Sequence, residues 1–395
     1  MEGETTVPRT LTPIVALAVI AAGFGFRAAA AAEHVFKVGA ILPMTGPFQS
    51  TGVEASAGIA LYLQEHGASV AGETIEVITR NDTGAPDVAK RLAQELIASD
   101  HVQALIGFGL TPIAMAVAPV ATEAEVPMIV TVASTSSIVD RSPFMVRTIQ
   151  TIPQSARIVG DWSAKNGVKK VVSLVSDYGP GRDAETWFGR ALENGGGKVV
   201  EKLRVPLANP DFSPFLQRAR DDKPDAIFVF LPAGVGAIFA KEFVESGLEK
   251  SGVKLITMSD VMDDELLNGM GDSVLGVVSG GPYSIAHDSP VNQAFVKAFR
   301  AANNNRRPNI VALSAYDGMN LIYRALSAKP GATDGRGLME AMKGQSFESA
   351  RGPVSIDPTT RDIVQNVYMR KVERRGGELY NVEFETYPAV KDPAH

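Results

Sequence analysis

The 395-residue sequence predicts an α/β protein of two lobes, each a parallel-type sheet flanked by helices. Two observations carry this prediction. Short runs of β-branched and aliphatic residues alternate with stretches of helical spacing, the rhythm of right-handed β–α–β crossovers. The units fall into two blocks, from 36 to about 150 and from about 153 to 280, with no low-complexity linker between them. Each block holds enough units for one open sheet, and two sheets joined so directly point to lobes facing a cleft.

Phe36–Leu42 is a compact apolar strand, and Gly52–His66 is the helix that follows it. Thr74–Thr79 alternates through Ile75 and Val77, and Pro86–Ser99 shows helical spacing at Val88, Leu92 and Leu96. Val102–Ile106 and Met128–Val132 are further strands, separated by a helix over Pro112–Ala124. In the second block Lys170–Val175, Lys198–Val205, Ala226–Leu231 and Lys254–Met258 read as strands. Helices are expected over Arg182–Glu193, Phe212–Arg220 and Ala233–Ser246.

Hydrophobic residues at 45% and charged residues at 21% are globular values: a disordered chain is poorer in the first, a membrane-embedded one in the second. The length suits two domains, each with its own core. With 38 basic against 44 acidic side chains, net charge -6, the chain lacks the basic excess expected of a nucleic-acid partner. The absence of cysteine excludes disulfides, thiolate nucleophiles, iron–sulfur clusters, thiolate zinc sites and a lipid-modified cysteine anchor. Leu11–Phe26 is an apolar run too short to span a bilayer comfortably, and the small-residue stretch Ala28–Ala32 follows it. Residues 1–32 therefore read as a secretion signal cleaved after Ala32, with a permanent N-terminal anchor as the alternative. The basic end of this leader is poor, because Arg9 is opposed by Glu2 and Glu4. The mature chain is expected to be exported, soluble and not lipid-anchored.

Catalytic patterns are missing. There is no G-x-x-x-x-G-K-[ST] phosphate loop, no G-x-G-x-x-G after the first strand and no G-x-S-x-G elbow, since Gly276–Gly280 reads G-V-V-S-G. His34, His66, His101, His287 and His395 are scattered without a pair at metal-ligand spacing. Asp260, Asp263, Asp264 and Glu265 lack the spacing of a calcium loop, and Asp263–Glu265 is expected to open a helix, where carboxylates complement the dipole. No catalytic residue, metal or cofactor is expected.

The ends of the strands carry uncharged polar chemistry instead. In open α/β sheets ligands settle beyond the carboxyl ends of strands, near helix N-termini. Gly107-Phe108-Gly109-Leu110-Thr111-Pro112 follows one strand; Thr111 there either only caps its helix or meets a ligand. Ala133-Ser134-Thr135-Ser136-Ser137 follows the next strand, a second hydroxyl cluster that turns also use for local reasons. Two such sites on successive strands can surround a carboxylate without burying a positive charge.

Longer signatures extend along the chain. Lys37-Val38-Gly39 leads through Pro43-Met44-Thr45-Gly46-Pro47 into Gly52, and Asn81-Asp82, Ile106-Gly107, Ala118-Pro119 and Val126-Pro127-Met128 follow. Ser176-Asp177-Tyr178-Gly179, Asp211-Phe212-Ser213, Pro224-Asp225-Ala226, Tyr316-Asp317 and Gly352-Pro353 complete the order. In this order they resemble the periplasmic solute-binding proteins of branched-chain (hydrophobic) amino-acid ABC transporters, over essentially the whole mature chain. The resemblance implies a type I periplasmic-binding-protein fold with three hinge crossovers. It places an N-terminal lobe at 35–152 plus 284–358 and a C-terminal lobe at 153–283 plus 359–388.

By the same resemblance, Thr111 matches the residue that receives a ligand carboxylate, with the turn Ala133, Ser134 and Thr135 supporting it. Tyr178 and Asp260 match second-lobe residues, Asp260 taking an α-ammonium. Thr51 and Ala233 stand where leucine-type binders place aromatic rings, although Phe48 lies close to the first. These departures weigh against leucine, isoleucine or valine and widen the pocket, so that Phe48, Tyr178 and Tyr283 could stack on an aromatic carboxylate. The competing readings are Asp260 as the cap of a helix entering at Val261, and Tyr178 and Tyr283 as half-buried packing residues. The expected function is capture of an amino acid or related small carboxylate between closing lobes in the periplasm, and delivery to an ABC-transporter permease in the inner membrane. The alternatives are a binder of aromatic (lignin-type) carboxylates in the same transporter class and a ligand-sensing receptor domain.

Overall fold

The computed structural model describes residues 1–6 and 34–395, apart from Ala208, Ala233 and Ala332. Beyond its first six positions, the expected secretion signal lies outside the described residues. Among those described, no helix is long and apolar enough to cross a membrane.

The first sheet is built from β1 (His34–Leu42), β2 (Ser69–Val70), β3 (Glu73–Asn81), β4 (Ala104–Gly107), β5 (Met128–Val130) and β6 (Met145–Arg147), in the order β2-β3-β1-β4-β5-β6. Only the short β2–β3 pair is antiparallel. Phe36, Val38, Ala40, Ile41 and Leu42 are all buried, because a central parallel strand is covered on both faces and must be apolar along its length. Helices α1 (Gln49–His66), α2 (Pro86–Ala98) and α3 (Thr111–Ala124) connect these strands.

In the second body α4 (Ile152–Lys165), α5 (Gly179–Asn194), α6 (Ser213–Asp221), α7 (Val235–Glu245) and α8 (Leu267–Met270) alternate with five strands. These are β7 (Lys170–Ser176), β8 (Lys198–Val205), β9 (Ala226–Phe230), β10 (Lys254–Met258) and β11 (Val278–Gly281). All are paired in parallel, as the alternating pattern predicts.

The chain then returns to the first core as α9 (Pro290–Ala302), α10 (Ile310–Ala328) and α11 (Gly335–Met342). It ends with β12 (Ser346–Ser349), β13 (Gly352–Ile356), β14 (Ile363–Arg375) and β15 (Glu378–Val390), which extend the second sheet in antiparallel fashion from β11. Val354 and Ile356 of β13 pack in the first core although their strand is hydrogen-bonded to β14. The main chain passes between the cores at Ile149–Ile152, Val278–Tyr283 and Ile363–Val367. Gln154 Nε2 pins two of these regions together by donating to the carbonyls of Ile363 (2.9 Å) and Val390 (2.8 Å).

Asp263–Glu265 does not open a helix: α8 begins only at Leu267, and Asp263 and Asp264 are buried. Their carboxylates are occupied by tertiary donors, Asn309 Nδ2 at 2.9 Å and Asn381 Nδ2 at 2.8 Å, which a dipole argument from local sequence does not anticipate.

Phe188 of α5 and Phe228 of β9 are fully buried, with parallel rings 3.8 Å apart between centroids. Phe188→Ala should cost about 3–5 kcal/mol of stability. Urea unfolding measures it, and a loss under about 1 kcal/mol would contradict the packing described, since even one buried methylene contributes about 0.8 kcal/mol.

Candidate ligand-binding site

Strand β4 ends at Gly107, and the chain turns through Phe108 to Leu110, whose extended backbone precedes α3. Thr111 is the first residue of that helix and does not cap it. Its buried hydroxyl instead donates to Thr135 Oγ1 at 3.0 Å, joining the two expected hydroxyl clusters. The helix start adds the positive end of a backbone dipole. After β5, the Ala133 N–H donates to the Phe108 carbonyl at 3.1 Å, so that amide is committed to holding the two turns together. Arg147 fixes the same turn from behind, with Nη1 2.5 Å from the Thr135 carbonyl and Nη2 3.0 Å from that of Ser136.

These turns form one wall of a cavity with about 430 Å³ of empty space including its mouth. From the first core it is lined by Phe48, Thr51, Gly109, Leu110, Thr111, Val132, Ala133, Ser134 and Val311. From the second it is lined by Tyr178, Pro180, Pro232 and Asp260, all beyond the carboxyl ends of parallel strands. Thr135 is not itself a wall but backs Thr111. The approach between the two sides is close, since a Cβ on Gly179 would lie 2.4 Å from Thr135 Oγ1. Ser136 N–H also reaches across to Asp183 Oδ2 of α5 at 3.0 Å.

Tyr178 stacks on Phe230, with centroids 6.3 Å apart and planes at 18°. Burial, reinforced by the Asp260 charge, raises its phenol well above the ordinary range, so it meets a ligand as a neutral hydroxyl. Asp260 precedes no helix, which disposes of the capping reading. Its side chain retains some exposure to the cleft, yet the carboxyl is enclosed enough that burial raises its pKa to about 6. Hydrogen bonds and the Arg370 charge oppose that rise. Oδ2 lies 3.2 Å from Ser259 Oγ and 3.5 Å from Gln150 Nε2.

Phe48, Thr51, Thr111, Ala133, Ser134, Tyr178 and Asp260 are thus brought to one cavity or its edge, with Thr135 directly behind. Ala233 lies outside the described residues. Tyr283, expected as a stacking ring, is placed elsewhere: it is 1% exposed, donates to Asn292 Oδ1 at 3.1 Å and meets Phe295 edge-on. Its polar end is satisfied inside the core, so the packing reading describes it. Sequence reasoning missed Leu110, Val132, Pro180 and Pro232, each next to or one residue from a residue it did select. It also missed Val311, which only α10 brings to the site.

Such a cavity, enclosed by strand ends from two sheets and provided with neutral donors on one wall and a carboxyl on the other, defines a small-molecule binding protein. The chain belongs to the periplasmic binding protein family, whose sequence profile matches residues 35–378. It is 44% identical over 383 residues to a Leu/Ile/Val-binding protein homolog of Brucella melitensis, covering 96% of this chain and 98% of that protein. An ABC-transporter solute-binding protein of Rhodopseudomonas palustris, solved with 3,4-dihydroxybenzoic acid, is 56% identical, with a TM-score of 0.90 and coverage of 91% of this chain and 99% of that one. Another from R. palustris, solved with 4-hydroxybenzoate, is 43% identical, with a TM-score of 0.88 and the same coverage, 91% and 99%. The protein is a solute-binding protein of the ABC-transporter class and not an enzyme.

The carboxyl of Asp260 should titrate near pH 6, neutral below and ionised above. Carbon-detected NMR of labelled aspartates tests this, by comparison with Asp260→Asn. A midpoint in the ordinary range near 4 would contradict the enclosure of this group.

Proposed function

We propose that the protein captures a hydroxylated aromatic carboxylate in the periplasm and delivers it to an ABC-transporter permease in the inner membrane. The observation that carries this reading is the state of Asp260. An α-ammonium would demand an ionised carboxylate with free lone pairs. Asp260 already has Ser259 and Gln150 at one oxygen and the Arg370 charge nearby, so part of its demand for a cation is met within the protein. A phenolic hydroxyl asks less of it, donating one hydrogen bond to an acceptor. The two R. palustris relatives solved with hydroxybenzoates support the same choice over an aliphatic amino acid.

In this reading the ligand carboxylate lies against Thr111 and Ser134 at the start of α3, its ring beside Tyr178 and Phe48, and its ring hydroxyl toward Asp260. The lobes, about 35–152 with 284–358 and 153–283 with 359–388, close by hinge motion because the ligand binds the closed state better. Capture makes and breaks no covalent bond.

Calorimetry and thermal shift with 4-hydroxybenzoate, 3,4-dihydroxybenzoate, benzoate, leucine, isoleucine and valine test the proposal. A true ligand at a hundred times its Kd adds about 2.7 kcal/mol of stability. With the Thr111 proton turned from Thr135 Oγ1 to the ligand carboxylate and the Thr135 hydroxyl donating to Thr111 in return, Thr111→Ala should weaken hydroxybenzoate binding by about 1.5–3 kcal/mol, the contribution of a hydrogen bond to a charged group. Asp260→Asn should change 4-hydroxybenzoate affinity and leave benzoate nearly untouched. Tighter binding of leucine than of any aromatic acid would overturn the reading.

A further inference from the structure

The segment after β15 crosses to the turn behind Thr135. Lys391 Nζ pairs with Asp357 at 2.8 Å, and Asp392 Oδ2 accepts the Ser136 hydroxyl at 2.6 Å. Farther on, His395 meets Asp362, the residue that precedes β14. Its Nδ1 lies 3.4 Å from Asp362 Oδ2 and 3.9 Å from Asp392 Oδ2, and one ligand atom from each of these residues lies within 4.8 Å of the others. Nitrogen and oxygen ligands held about 2.0–2.2 Å from one ion stand roughly 3–4 Å apart, so a contraction of about an ångström would seat an ion.

Two further observations point to a cation. Asp362 is 1% exposed; Arg147 Nε occupies its Oδ1 at 2.7 Å, while Oδ2 accepts no hydrogen bond. That buried oxygen faces His395 Nδ1 at 3.4 Å without taking a hydrogen bond from it, and a cation seated between the two would satisfy both. On the other side of the imidazole, Nε2 lies 3.3 Å from Asp140 Oδ2. A metal-bound histidine commonly donates its second nitrogen to a carboxylate, which fixes the tautomer that leaves Nδ1 free to ligate.

From this geometry we propose that Asp362, Asp392 and His395 bind a divalent transition-metal ion through two carboxylate oxygens and His395 Nδ1. The mixed nitrogen and oxygen set suits zinc or manganese better than magnesium or calcium, which favour oxygen alone. The three residues line an open surface cavity with about 550 Å³ of empty space, edged also by Thr359, Thr360 and Lys391, which admits water to the remaining positions. None of the three ligands lines the cleft. The ion braces the Thr135–Ser136 turn from its far side, because Asp392 holds the Ser136 hydroxyl and Asp362 holds Arg147.

The full chain without a histidine tag, stripped with a chelator, is titrated calorimetrically with zinc chloride, manganese chloride and magnesium chloride. One equivalent of zinc or manganese should bind, magnesium at least tenfold more weakly. His395→Ala and Asp392→Asn should each weaken zinc or manganese at least tenfold while keeping the circular dichroism of the folded protein. No binding at one equivalent overturns the proposal, as does unchanged affinity in His395→Ala, which would place the ion at another histidine. Should a variant fail to fold, manganese added to the unmodified protein must selectively broaden the amide signals of His395 and Asp392. Broadening centred elsewhere also overturns the proposal.

Discussion

A single buried guanidinium organises the binding wall. Arg147, at the end of β6, is fully buried and paired with Asp362 at 2.6 Å. Its remaining donors hold the carbonyls of Thr135 and Ser136, and Thr135 in turn accepts the Thr111 hydroxyl. A buried ion pair of this kind is poor evidence for stability, but removing either partner would leave the other charge uncompensated. Its service here is positional. The surface facing the cleft carries only neutral groups, while the guanidinium and its paired carboxylate lie one layer behind them.

The opposite wall repeats the device with the signs arranged differently. Asp260 reaches the cleft, and the buried Arg370 moderates its pKa from behind while donating to the Tyr283 carbonyl and the Ser279 hydroxyl. Tyr283 is thereby drawn into the support of the wall and away from its surface. Ser259 and Gln150 share the Asp260 oxygen, and Ser155 holds Gln150 at 2.5 Å. Asp260 therefore meets the cleft with one oxygen already partnered and the Arg370 charge behind it.

What could be read from sequence follows the physics of burial. The parallel strands were legible because burial on both faces makes each a continuous apolar run, as in Ala226–Phe230. β14 and β15 were not: β14 carries Arg370, Lys371, Glu373, Arg374 and Arg375, and its strand character depends on antiparallel partners distant in sequence. Thr111 and Ser134 were legible because strand ends converge in this architecture, whereas Tyr178 and Asp260 were read only through the family resemblance. Val311 was not, since only the packing of α10 on α1 carries it there. The approach of His395 to Asp362 and Asp392 was hidden for a similar reason. His395 meets its carboxylates through the path of the last strands, and no local spacing records that path.

The close approach of the two sheets at the cleft rests on a residue with no side chain. Tyr178 forms a wall in extended backbone, Pro180 suits the first turn of α5, and Gly179 between them lets that helix start approach the Thr135 hydroxyl. Any β-carbon there would meet Thr135 Oγ1, which cannot turn away without giving up the hydrogen bond from Thr111. The same contact that brings the two sheets together therefore tests whether the Thr111–Thr135 wall is correctly assembled. In the proposed reading, a ligand that orders Thr111 and Thr135 would favour closure through the very surface that α5 approaches, and recognition and closure would be one equilibrium, as the linkage of binding to conformation requires.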